Sequence, residues 1–397
     1  NYVEAVNLLL ADTTPTTVYV QAVDDAVDEA TPHPGEIEIS ALSVDTDYNN
    51  IAVNPLSVEI EDNDYTITKI HDIQGAGAAS AMDGDEVTVE AVVTGLLTSN
   101  GFVIGFFLQE EDADADADTA TSEGIFVFMP AATVSVGDKV RVTATVDEYQ
   151  GLTELTEVSE IATLDTGVTL PTLTVINIGL DEDYEAVEGM RVELISSGPD
   201  PLTVIENYNL DRFGQVTVSE GTQTQPTQIF DPQTEQAEID ALADANAANR
   251  IIIDDADTAQ NPDTYNLVDS GDGTPLTVGD PITEDGPTLR LGSELDAITG
   301  IMDQRFGDYR VQVDAPLDVV EGTGERPEEV PDVGGDLQVA SFNVLNFFTT
   351  IDTPGAGTGP NGDLNPRGAD NAAEYARQLD KLVEAILELD AEVLGLQ

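Results

Sequence analysis

The sequence predicts a multidomain, mainly β protein followed by an α/β segment. Short runs that alternate apolar and polar residues, such as "TTVYVQAV", "LSVEIED" and "DKVRVTATVDEY", are bounded by Gly, Pro, Asp and Asn and are typical of strands. One long stretch, "DNAAEYARQLDKLVEAILELD", instead places its apolar residues at helical spacing. A linker rich in Gly, Pro and acid, "EGTGERPEEVPDVGGD", separates the two patterns near residue 336.

The strand and linker pattern divides the 397 residues into five parts. We expect a small β unit at 1–64, a β-barrel at 65–170, a second mostly β region at 171–320, a linker at 321–335 and an α/β layer at 336–397.

Charge is the unusual feature of the composition. The chain has 78 Asp and Glu residues against 13 Lys and Arg residues, which gives a formal net charge of −65. Such a chain repels itself at low salt, whereas at 1 M salt the Debye length is only about 3 Å. The composition therefore predicts a protein adapted to high salt. An acidic disordered chain is the alternative, and the regular apolar strands argue against it.

Two classes of feature are missing from the sequence. There is no cysteine, so neither a disulfide framework nor a cysteine-based zinc site can form. There is no run of about 18 apolar residues, so no membrane-spanning helix is predicted.

Acidic residues cluster in three loops of the first segment. Calcium takes six to eight oxygen ligands, which such loops can supply, but an acidic solvated surface would look the same in this chain. The "VDDAVDE" turn and the closing "EIEDND" resemble a Calx-β repeat, a β-sandwich family that often binds calcium at one end. The resemblance implies Ca²⁺ near Asp24, Asp45, Asp47, Asp62 and Asp64.

The second segment contains "GFFLQ", an acidic loop, "GIFVFM" and "VGDKVRVTATVDEYQGLTEL". This order resembles the OB-fold modules that precede the catalytic domain in large bacterial extracellular nucleases, and the third segment resembles the same proteins. OB barrels can bind single strands on aromatic platforms beside a basic groove. Only Lys139 and Arg141 lie nearby, so a basic groove is missing. The aromatic residues of this segment are Phe102, Phe106, Phe107, Phe126, Phe128 and Tyr149. Most of them fall within apolar strand patterns, so we expect them to pack in the core.

Two polar features of this segment have simple interpretations. His71 precedes a glycine-rich loop, and we expect it to be a structural hydrogen-bonding residue rather than an acid–base catalyst. The run "DADADAD" fits a solvated loop, a weak cation site or a charge spacer, and we favour the solvated loop.

The last segment carries the predicted chemistry. Asn343 and Asn346 follow the apolar strand of "LQVASFNVLNFFTT", and an Asn in such a strand must be hydrogen-bonded or bind a ligand. With the loop "TPGAGTGPNGDLNPRGAD", the helix and "DAEVLGLQ", this strand resembles the opening of the endonuclease/exonuclease/phosphatase family. That family is a four-layer α/β sandwich with a divalent metal ion at the strand ends.

The resemblance assigns roles to individual residues. Asn343, in the S-x-N pattern of the first strand, matches the active-site Asn, and Gln397 matches the Gln that precedes a metal-ligating Glu. Asn346, Arg367 and Asp370 are candidates for positions near the site. Mg²⁺ or Mn²⁺ is the implied catalytic ion.

The sequence thus predicts the non-catalytic modules and first strands of a secreted or cell-surface, metal-dependent nuclease that hydrolyses DNA or RNA. We expect the chain to be cut at both ends and inactive alone, because the metal-ligating Glu would come next. The alternatives are a calcium-stabilised surface or adhesion protein and a phosphatase of the same superfamily.

Overall fold

A computed structural model describes residues 20, 33–40, 43–47, 49–50, 53–60, 65–179, 183–271, 273–277, 289–313, 315–325, 330 and 332–397. The chain divides into two compact units, Asn1–Gly324 and Glu325–Gln397. Near the start of the first unit, strands β1 (His33–Ile37) and β2 (Leu56–Ile60) pair antiparallel. No helix in the described ranges is long and apolar enough to cross a membrane.

The first module of this unit is a closed barrel. It contains α1 (Ile70–Gln74), β3 (Glu86–Ser99), β4 (Phe102–Gln109), β5 (Gly124–Phe128), β6 (Lys139–Tyr149) and β7 (Leu152–Asp165). The strand order is β3-β4-β5-β7-β6, and β5 runs parallel to β7. Strand β3 has bulges at Val93/Gly95 and Leu97/Thr98, and it pairs with β6 along its first part and with β4 along its second. The alternating sequence of β6 buries every second side chain, as its period of two requires.

The second module forms an eight-stranded sheet and a separate two-stranded sheet. Its elements are β8 (Thr174–Ile176), β9 (Arg191–Leu194), β10 (Leu202–Glu206), α2 (Leu210–Phe213), β11 (Val216–Glu220), α3 (Gln236–Ala248), β12 (Ile251–Asp254), β13 (Thr264–Asp269), β14 (Pro275–Thr277), β15 (Glu294–Leu295), β16 (Ile298–Arg305) and β17 (Asp308–Gln312). The eight-stranded sheet has the order β15-β10-β11-β12-β17-β16-β9-β8, and β13 pairs with β14.

The second module repeats the strand order of the first. β9 and β10 take the place of the two parts of β3, because β9 pairs with β16 and β10 pairs with β11. β12 runs parallel to β17, as β5 does to β7. An order of 1-2-3-5-4 with strands 3 and 5 parallel is that of the OB-fold. The two modules therefore confirm the predicted OB-like architecture.

The two modules pack directly against each other. Phe107, Phe126 and Leu152 of the first form one buried cluster with Ile301 of the second. Gly124 and Gly189 lie back to back, so a Cβ atom on either would overlap the backbone of the other segment. Gly189 also has φ of +74°, which a residue with a side chain rarely adopts.

The second unit, described by itself, is the α/β segment. Strands β18 (Val339–Phe342) and β19 (Val393–Leu396) run parallel and are connected through helix α4 (Ala372–Leu389). Parallel strands need such a crossover connection. A mainly β chain followed by an α/β segment agrees with the fold class predicted from the sequence.

Candidate functional site

Asn343 lies at the carboxyl end of the parallel strand pair. The N–H of Val344 donates to the carbonyl of Gln397 at 3.1 Å, and the N–H of Gln397 donates to the carbonyl of Phe342 at 3.1 Å. These bonds place Asn343 opposite Gln397. The exposed side chain of Asn343 accepts the N–H of Leu345 at 3.0 Å. Ligands of open α/β sheets bind outside the carboxyl ends of the strands, and Asn343 lies at this edge.

Asn346 lies in a tight turn after β18, with φ of +57°. A Cβ atom at Gly368 would press on the carbonyl of Asn346 and on the side chain of Phe348, so the two loops approach closely only because residue 368 is glycine. The ring of Phe347 stacks on that of Tyr375 with centroids 5.7 Å apart. These contacts bring the turn after β18 against the start of α4 and next to Arg367.

The first turn of α4 is a capping box. Oδ1 of Asn371 accepts the N–H groups of Ala373 and Glu374, and the Glu374 carboxylate accepts the N–H of Asp370 at 3.0 Å and the side-chain amide of Asn371 at 2.6 Å. This arrangement satisfies N–H groups that a helix start leaves unpaired. It also fixes the backbone of Asp370, whose side chain remains exposed.

A cleft opens between these loops and the face of α4. Three exposed cationic side chains, those of Arg367, Arg377 and Lys381, line it, and none of them forms an ion pair with a carboxylate of the described residues. The other lining residues are Asn346, Gly368, Ala369, Glu374 and Gln378.

The cations of the first unit behave differently. Most of those described are paired with acids, namely Lys69, Lys139, Arg141, Arg250, Arg305 and Arg310. With 78 acidic residues in the chain, pairing is easy to achieve. Arg377 and Lys381 are instead like charges four residues apart on a helix, which costs about 0.2–0.5 kcal/mol. Unpaired cations that converge in so acidic a protein are suited to bind an anion.

The structure brings together part of the predicted site. Asn346 and Arg367 both line the cleft, whereas Asn343, Asp370 and Gln397 are not among its lining residues. Arg377 and Lys381 were not predicted, although a sequence signal existed. They are spaced by four on the single long amphipathic helix, and with Arg367 they are the only Lys and Arg residues after Arg326.

Only two of the five predicted calcium ligands fall within the described residues. Asp45 and Asp47 are exposed, and the N–H of Asp47 donates to Oδ1 of Asp45 at 3.0 Å, as in a turn. Asp24, Asp62 and Asp64 lie outside the described residues. Within the described part of the second unit, no three carboxylate or imidazole groups lie close enough together to hold a metal ion.

The aromatic residues of the first module have two distinct positions. Phe106 points into the barrel core, whereas Phe107 and Phe126, on the outer face of β4 and β5, pack against the second module. That outer face is where OB-folds bind oligonucleotides, and here Ile301 and the guanidinium of Arg305, 4.5 Å from the Phe126 ring centroid, cover it.

Other aromatic side chains lie at the turns instead. Phe102 and Tyr149 flank the β3–β4 and β6–β7 turns, and Tyr208 and Phe306 occupy the equivalent connections of the second module. All four are exposed, so the expectation that Phe102 and Tyr149 pack in the core was wrong. Phe128, at the end of β5, is also 43% exposed. The β3–β4 turn is short, with Asn100 and Gly101 at positive φ. Such a turn encloses no core in which the adjacent ring of Phe102 could pack.

Comparison with known proteins adds one match. A family model described as a domain of unknown function (DUF8508) matches residues 162–321, which span the second module. No curated protein and no solved structure matches the chain significantly.

Proposed function

We propose that this protein acts on nucleic acid as a phosphodiester-hydrolysing enzyme, and that the cleft of Arg367, Arg377 and Lys381 binds backbone phosphate. The observation that carries the proposal is the convergence of three cations without described acidic partners in a chain of net charge −65. Lys and Arg side chains are the usual ligands of phosphate. The position of Asn343 at the ends of β18 and β19 is consistent with the family resemblance.

The exposed aromatic turns support the same partner. Phe102, Tyr149, Tyr208 and Phe306 lie on the connections that OB-folds use to contact oligonucleotides. Stacking of bases on aromatic rings contributes about 1–3 kcal/mol per base and needs no positive charge. A strongly acidic module can therefore contact a single strand through its rings, provided that salt screens the repulsion.

The residues present do not supply a complete metal centre. The described carboxylates of the second unit form no group of three at ligand distance, so they do not by themselves form a site for Mg²⁺ or Mn²⁺. The role proposed for this unit's own residues is to bind and orient phosphate, with Asn343 beside the scissile group.

Binding of a fluorescein-labelled DNA strand, followed by anisotropy over a range of NaCl concentrations, tests the proposal. Replacing two phosphate contacts in the variant Arg377→Gln/Lys381→Gln should weaken binding and reduce the slope of log K against log [NaCl] by about 1.4 for single-stranded DNA. Arg250→Gln is the matched control, because Arg250 is exposed but paired with Glu206 at 3.2 Å. Equal effects of both variants would argue against a phosphate site in the cleft.

The same variants separate the alternatives. If the unmodified chain binds inorganic phosphate but no oligonucleotide, and the double variant no longer binds phosphate, the phosphatase alternative is favoured. If the unmodified chain binds neither ligand, the surface-protein alternative is favoured. Hydrolysis is tested on the full-length gene product with supercoiled plasmid, MgCl₂ or EDTA, and Asn343→Ala. We expect nicking that EDTA and the substitution both abolish.

A further inference from the structure

The β4–β5 loop of the first module begins and ends with buried carboxylates. Glu110 directly follows β4 and Glu123 directly precedes β5, and the N–H of Glu110 donates to the carbonyl of Glu123 at 3.0 Å. Between them lies the run "EDADADADTATS", which adds five more acids. Two carboxylates are therefore held side by side at the base of a strongly acidic loop.

His71 of α1 completes this cluster. Its Nδ1 lies 2.9 Å from Oε2 of Glu123 and 3.1 Å from Oε2 of Glu110. The carboxylate of Asp116 lies within 4.8 Å of the ligand atoms of His71 and Glu123, and the N–H of Asp116 donates to Oε1 of Glu123 at 2.7 Å. One imidazole nitrogen thus faces two carboxylate oxygens, with a third carboxylate close by.

One carboxylate oxygen of this cluster has no hydrogen-bond partner among the described residues. Glu110 is only 2% exposed, and while its Oε1 accepts the N–H of Ile70 at 2.8 Å, its Oε2 has no hydrogen-bond partner among the described residues. Nδ1 of His71 can donate one hydrogen, and the bond to Glu123 uses it. Lys69 is 3.9 Å from Oε1 of Glu110 and closer, at 3.1 Å, to Asp114, so it offsets the charge of the buried pair only in part.

Burial of such a pair has a cost. A buried carboxylate without a partner is unfavourable unless it takes up a proton or coordinates a metal ion.

The spacing accommodates a metal ion. In an octahedral site with bonds of about 2.1 Å, adjacent ligand atoms are about 3.0 Å apart, close to the two distances at Nδ1. Carboxylates suit Mn²⁺, and imidazole is a common ligand of divalent transition metals. Asp116 is exposed and His71 partly so, which leaves an entry path from solvent.

We propose that His71, Glu110, Glu123 and Asp116 form a binding site for an octahedral divalent cation of the Mn²⁺ type, which ties the acidic β4–β5 loop to α1. The site is separate from the cleft of the second unit and does not depend on nuclease activity.

Histidine NMR provides a direct test, because the chain contains only His33 and His71. Substoichiometric Mn²⁺ added to the histidine-labelled chain in 1 M NaCl, where diffuse binding to surface acids is screened, should broaden the imidazole signals of His71 and spare those of His33. The variant His33→Gln assigns the signals. Broadening of neither histidine, or of both equally, would overturn the proposal.

Variants give an independent readout. Calorimetric titration of the EDTA-treated chain with MnCl₂ in 1 M NaCl should show one saturable site and a thermal midpoint raised by a few degrees. Glu123→Gln should abolish both effects, whereas Asp118→Asn, which removes one charge from the same loop outside the cluster, should leave both intact. An unchanged titration in a folded Glu123→Gln variant would show surface binding only and contradict the site.

Discussion

Glu188 illustrates how a single buried acid connects the two OB-like modules. It is 0% exposed, its Oε1 accepts the N–H of Thr153 at 3.1 Å, and its carbonyl accepts the hydroxyl of Ser122 at 2.5 Å. Both partners belong to the first module. Burial raises the pKa of Glu188 to about 9, and the neighbouring carboxylates of Glu185, Asp303 and Glu148 act in the same direction. Glu188 is therefore protonated in the folded protein near neutral pH.

This raised pKa predicts that stability falls as pH rises from about 4.5 to about 9. Between the unfolded value near 4.5 and the folded value near 9, the folded state binds more protons than the unfolded state, so the free energy of unfolding falls as pH rises. Glu188→Gln keeps a neutral side chain at all pH values. We expect urea unfolding at pH 5.5 and 8.5 to show a drop that is smaller in this variant by about 4 kcal/mol.

Glu238→Gln is the matched control, because Glu238 is exposed on α3. Its pH dependence should equal that of the unmodified chain. If Glu188→Gln and Glu238→Gln lose the same stability between the two pH values, Glu188 does not titrate as described.

At the scale of secondary-structure elements, the sequence predicts the type of an element better than it predicts which elements pair. The period-two alternation of β6 and the helical spacing of α4 are readable because each depends on neighbours in the sequence. The sequence does not reveal that β9 and β10 together replace one long strand. β9 pairs with β16, about 100 residues later in the chain, and β10 pairs with β11, so the replacement depends on distant pairing. His71 and Glu123 are likewise 52 residues apart, so no local pattern joins them.

The packing between modules predicts unequal effects of two aromatic residues on one strand. Phe126 and Phe128 both lie on the outer face of β5, but Phe126 is 1% exposed beneath the second module and Phe128 is 43% exposed. Phe126→Ala should lower the free energy of unfolding by about 3–5 kcal/mol, because it removes a buried ring that contacts Phe107 and Arg305. Phe128→Ala should cost about 1 kcal/mol. Urea unfolding measures both, and similar losses would mean that the modules do not depend on this contact.

At the scale of the whole molecule, charge dominates the behaviour. Self-repulsion of a chain of net charge −65 opposes the compact state, and few of the acids that the structure describes have cationic partners. Repulsion acts over about 10 Å at 0.1 M salt and about 3 Å at 1 M. We therefore expect the thermal midpoint to rise as NaCl increases from about 0.1 to 2 M, with most of the gain below 1 M because screening is then nearly complete.

The shape of this curve separates screening from other effects of salt. Exclusion of salt from the protein surface strengthens apolar burial in proportion to concentration and would give a gain that continues steadily to 2 M. A midpoint that falls with NaCl would contradict adaptation to high salt altogether.

Screening also bears on the phosphate cleft, since salt relieves the repulsion of DNA by the acidic surface while it weakens the contacts of Arg377 and Lys381. DNA binding should therefore pass through a maximum at intermediate NaCl, and this maximum should vanish in the variant Arg377→Gln/Lys381→Gln.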